Sequence, residues 1–73
     1  MEDKDLICEL LTETLQQTRM FKDLELLTYK SKPGIEIVKA VFTDGKEYKV
    51  NVHMDSGIAL ISDVIKALRY QRG

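Results

Sequence analysis

Residues 35–53 read IEIVKAVFTDGKEYKVNVH. Two runs of strand-forming residues flank Asp44-Gly45, and such a pair between apolar runs is the strongest short-range signal of a β-hairpin. Glycine supplies the positive φ that the turn needs, and aspartate tolerates it. The second run alternates, with Tyr48, Val50, Val52 and Met54 on one face and Glu47, Lys49, Asn51 and His53 on the other. The first run does not alternate cleanly: Ile35, Ile37 and Val41 point one way, Val38, Ala40 and Phe42 the other. A two-residue loop would set Val41 opposite Tyr48 and bring Lys39 to the core face. A three-residue loop with a bulge at Gly45 would set Ala40 opposite Tyr48 and bring Phe42 there instead. In either register one face of the strand keeps apolar residues that helices on the opposite face do not cover, and exposure of that kind marks an interaction surface.

An isolated hairpin is marginal in water, so the flanking segments are expected to cover it. Upstream, LELLTYK at 24–30 fits another strand, with Leu24, Leu26 and Thr28 on one face and Leu27 and Tyr29 on the other. Lys32-Pro33-Gly34 then suits a type II turn, so this strand pairs with the Ile35 to Phe42 strand. Before it, Leu6, Ile7, Leu10, Leu11, Leu15 and Phe21 share one stripe at helical spacing, together with Thr14 and Thr18. This predicts a helix from about Asp3 to about Phe21, with Glu9, Thr12, Glu13, Gln16, Gln17 and Arg19 in solvent. Glu2, Asp3 and Asp5 suit the positive end of its dipole.

After the sheet, Asp55 or Ser56 is expected to cap a second helix. Its apolar stripe is Ile58, Ile61, Val64, Ile65 and Leu68, widened by Leu60 and Ala67, with Ser62, Lys66 and Arg69 outside. Lys66, Arg69 and Arg72 crowd its last turns, where the dipole favours cations. The expected fold is a single α+β domain over residues 1–73. Its order is α-β-β-β-α, a three-stranded antiparallel meander with two helices on one face.

A chain of 73 residues is short enough to have a thin margin of stability. With one cysteine it has no internal disulfide, so oligomerisation is the expected supplement. Eleven basic residues against twelve acidic ones give a net charge of −1, with no global field toward phosphates or anionic lipid. The longest apolar run, Ile58 to Ile61, is far short of a membrane span, and the lone Cys8 suits a cytoplasmic location.

The residues that could carry chemistry have simpler roles. His53, Asp55 and Ser56 are close in sequence, but triad members meet across a fold in defined geometry that adjacency does not supply. His53 therefore reads as exposed or cap-associated, Cys8 as a small half-buried apolar side chain, and Glu9 with Glu13 as a solvated acidic face. No glycine belongs to a phosphate-cradling motif. No catalytic residue, cofactor, metal or small-molecule ligand is indicated.

The element order and length resemble those of double-stranded-RNA-binding domains. That family holds phosphates with a KKxAK-type cluster opening its second helix, where this chain reads DSGIALISDVIKAL, with Asp55 and Asp63 in place of cations. The same order occurs in HicA-type toxin ribonucleases, and VHMDSGIALISDVIKAL is similar to the end of those chains. Their catalytic Gly-Ser-His has no counterpart between Ile35 and Phe42. No site residue carries over from either resemblance.

The sequence thus points to a non-enzymatic protein-interaction or assembly module, expected to be a homodimer or to bind another protein. Its candidate surface is drawn from Ile35, Ile37, Val38, Val41, Phe42 and Tyr29. The alternative is nucleic-acid binding through Lys30, Lys32, Lys39, Lys46, Lys49, Lys66, Arg69 and Arg72.

Overall fold

The computed structural model describes residues 3–53 and 56–72, so the expectations placed on Glu2, Met54 and Asp55 lie outside the described residues, as does the side chain of Arg72. The order is α1 (Lys4–Gln16), β1 (Leu24–Lys32), β2 (Ile35–Phe42), β3 (Glu47–Asn51) and α2 (Gly57–Arg72). The strands form one antiparallel meander with β2 in the centre. Both helices cover the same face, α1 packing along β1 and α2 along β3.

The two turns set the registers. Gly34 has φ +78 after Pro33, as a type II turn requires, and Lys32 pairs with Ile35 across it. In the second turn, Gly45 has φ +90, its N–H donates to the Phe42 carbonyl, and the Phe42 N–H donates to the Lys46 carbonyl. Asp44 accepts from the Lys46 N–H at 3.0 Å. This is the three-residue loop with a glycine bulge, and it places Ala40 opposite Tyr48. Val38, Ala40 and Phe42 therefore enter the core beside Val50 and Val52, and Lys39 stays off it.

β1 departs from simple alternation. Its register shifts between Leu24 and Leu26, so Leu24 joins Leu27 on the covered face while Leu26 turns to the other. A bulge adds one residue on one strand only, and this is how Leu24 escapes the face that counting by twos gives it.

The helices are also rotated from their expected settings. α1 buries Cys8, Leu11, Thr12 and Leu15, whereas Leu6 and Leu10 are 48% and 53% exposed. The cause is polar. The Thr12 hydroxyl donates to the Cys8 carbonyl at 2.7 Å and accepts from the Leu27 N–H at 3.0 Å, and the Gln16 amide donates to the Leu24 carbonyl at 2.9 Å. Both side chains satisfy the outer edge of β1 beside its bulge, so neither is in solvent.

Asp3 caps the helix through the Leu6 N–H. The helix stops at Gln16, short of Phe21, because the Thr18 hydroxyl donates to the Leu15 carbonyl and accepts from the Phe21 N–H, diverting the chain into a turn. In α2 the inward line is Leu60, Val64 and Leu68, and Ile58 is exposed. Ser56 is the cap, accepting from the Ala59 N–H.

Replacing Thr12→Val would keep the volume and strand a buried N–H on Leu27. Urea unfolding should show a loss of roughly 1–3 kcal/mol, with Thr12→Ser retaining most of the stability.

Candidate interaction surface

With the registers fixed, the uncovered face of the sheet can be read row by row. Leu26, Val41 and Glu47 form one row, and Thr28, Lys39 and Lys49 the next. Then come Lys30, Ile37 and Asn51, and finally Lys32 with Ile35 beside the first turn. Leu26 is 49% and Ile35 45% exposed, while Ile37 and Val41 are half-buried among their neighbours. Lys30, Lys32, Lys39 and Lys49 surround Ile35 and Ile37, and the six line a hollow of about 220 Å³. The face therefore combines an apolar floor with a cationic rim.

Lys39 and Lys49 stand directly opposite each other, a like-charge pairing that destabilises a sheet unless something neutralises it. Glu47 does so in part, at 3.1 Å from Lys39. Lys30, Lys32 and Lys49 have no carboxylate partner among the described residues. Among the described residues four cations and one acid stand on the strands of this face, which is therefore net basic in a chain of net charge −1.

The residues expected at an interaction surface are thus divided. Ile35, Ile37 and Val41 share the uncovered face; Val38 and Phe42 are wholly buried in the core, so they are corrected out of it. Tyr29 is also corrected to the covered face, where its hydroxyl donates to Glu36. The cations divide likewise. Lys46 belongs to the second turn, and Lys66 and Arg69 lie exposed on α2, which packs on the opposite side of the sheet from the four lysines. Leu26 was missed as a surface residue, because only the β1 bulge separates it from Leu24.

A polar cluster closes the covered face near the first turn. Glu36 accepts from Lys4 at 2.8 Å and from the Tyr29 hydroxyl, and its second oxygen lies 3.5 Å from His53 Nδ1. Lys4 also stands 5.6 Å from the centre of the Tyr29 ring. The hydrogen bond to Glu36 raises the Tyr29 pKa, with burial second. Through Lys4 and Tyr29, Glu36 ties α1 and β1 to the central strand. Ser56 accepts from the Ala59 N–H as the helix cap, while His53 faces Glu36. Among the described residues no three of His, Cys, Asp and Glu converge as a metal site would require, and no helix is long and apolar enough to cross a membrane.

Fold and surface together define an α+β domain with helices on one sheet face and a lysine-rimmed apolar patch on the other. No family model matches the chain, and neither a curated protein nor a solved structure does.

Cys8 is 1% exposed, and burial, followed by the Asp5 charge, pushes its thiol up from 9.0 to about 11. At pH 8 its reaction with a disulfide reagent should be slowed about 100-fold by the lost thiolate alone, and recover in urea. The raised pKa contributes stability below the unfolded value of 9.0 that is lost as pH climbs toward about 11. A thiol that reacts at the same rate folded and unfolded would contradict this burial.

Proposed function

We propose that the chain is a non-enzymatic assembly module whose working surface is the uncovered face of its sheet, with a second copy of the chain as its first candidate partner. The observation that carries the reading is the row structure of that face. Leu26, Ile35, Ile37 and Val41 project from it, and both helices pack on the other side. A sheet with apolar residues on both faces ordinarily has both covered. A short domain also gains stability by association.

A second reading, nucleic-acid binding, is favoured by the four lysines of the rim. It fits less well, because Tyr29, Phe42 and Tyr48 all face the helices and leave the open face without a ring on which a base could stack.

Sedimentation should show the wild-type mass rising above the 8.4 kDa of one chain between micromolar and millimolar concentration. The variant Ile35→Asp should remain at one chain with its fold intact. A wild-type protein that stays at one chain throughout would contradict self-assembly, and retention of an oligonucleotide that weakens steeply with salt would favour the second reading.

A further inference from the structure

The open face calls for an occupant that is apolar in its middle and acidic at its margins, and the chain itself carries one. The outward side of α1 presents Leu6 and Leu10, one turn apart, interleaved with Glu9 and Glu13 and followed by Thr14 and Gln17, all exposed. Asp3 and Asp5 extend the acidic margin at the helix start. Lys4, the one cation of α1, is turned inward to Glu36. Helix and sheet face therefore each set apolar side chains among charges, mainly acidic on the helix and mainly basic on the sheet.

Their sizes also correspond. A helix of 13 residues is roughly 20 Å long, and the eight residues of β2 extend over roughly 26 Å.

From this complementarity we infer that the α1 outer surface of one copy docks on the open sheet face of the next, giving a head-to-tail assembly rather than a twofold dimer. The inference rests on the reading that the open face is a protein-binding surface. A twofold contact between two open faces would press the Lys30, Lys32, Lys39 and Lys49 rim of one copy against that of the other, a like-charge arrangement that opposes association. The head-to-tail contact instead sets Lys30, Lys32 and Lys49 against Glu9 and Glu13, and places Leu6 and Leu10 over Ile35 and Ile37. Because α1 lies on the covered side of the sheet and turns its leucines outward, the two surfaces point in opposite directions. A contact between unlike surfaces repeats from copy to copy, and the product is a stack or a ring. The result is helix, sheet, helix, sheet in alternating layers, with each sheet covered on both faces.

Two variants test this, each with one surface altered and the other intact. Lys30→Glu with Lys32→Glu changes the sheet face, and Glu9→Lys with Glu13→Lys changes the helix face. All four positions are exposed, and circular dichroism should show both variants folded. Each alone should sediment as one chain. Mixed in equal amounts they should associate again, because the intact helix face of one meets the intact sheet face of the other, and the two reversed faces are themselves opposite in charge. Wild-type assembly should weaken as salt rises.

Leu10→Asp, an uncharged-to-acidic change on the same helix surface, should also yield single chains. If the sheet variant dissociates while both helix variants assemble like wild type, the open face is the interface but α1 is not its occupant, and only this inference falls. If both single variants are monomeric and their mixture stays monomeric, the head-to-tail contact is likewise overturned. Assembly unaffected by any of these changes, or a wild-type chain that never associates, would remove the proposed function as well.

Discussion

The register between β2 and β3 is the constraint on which the rest of the molecule depends. A strand has a side-chain period of two, so a slip of one residue would exchange its faces and send Lys39 into the core in place of Phe42. The loop at 43–45 prevents this. Gly45 adopts φ +90 and adds the third loop residue, and Asp44 holds the Lys46 N–H. From that geometry follow the burial of Val38, Ala40 and Phe42, the edge-on contact of Phe42 with Tyr48 at 5.5 Å, and the outward placement of Ile35, Ile37, Lys39 and Val41. The core and the candidate surface are thus opposite consequences of one turn.

The helix α1 has two tasks, and they explain its unusual orientation. It fills the core with Cys8, Leu11 and Leu15, and it closes the exposed edge of β1 with Thr12 and Gln16. An unpaired strand edge invites association with any other strand, and a helix that satisfies its backbone groups removes that hazard at the bulge. Orienting Thr12 inward moves Leu6 and Leu10 outward. The same rotation that protects one surface therefore leaves an apolar, acid-flanked stripe on another.

The order of elements was legible because each boundary carries its own local chemistry: Pro33-Gly34, Asp44-Gly45 and the Ser56 cap each act within a few residues. The apolar surplus of β2 was visible for the same reason, since it lies in the chain itself. What the sequence concealed was non-local. Nothing in LELLTYK announces the extra residue that turns Leu24 inward, and nothing in LTETLQQT distinguishes a threonine bonded to a neighbouring strand from one in water. The division of the candidate surface had a similar origin: the choice between Ile35, Ile37 and Val41 on one side and Val38 and Phe42 on the other hung on a single loop residue. The lysines of the sheet stand in the sequence as candidate nucleic-acid contacts, and it is the pairing of three strands that gathers four of them around Ile35 and Ile37.

Greasy side chains leave both surfaces of the sheet while the chain's own helices shield one. Methyl-labelled NMR spectra recorded over a dilution series test it residue by residue. The methyl signals of Ile35, Ile37 and Leu26 should shift or broaden as concentration rises, while those of Val38, Val50, Leu60 and Val64 stay fixed. Signals from Ile35 and Ile37 that do not change with concentration, or changes confined to the core methyls, would contradict it.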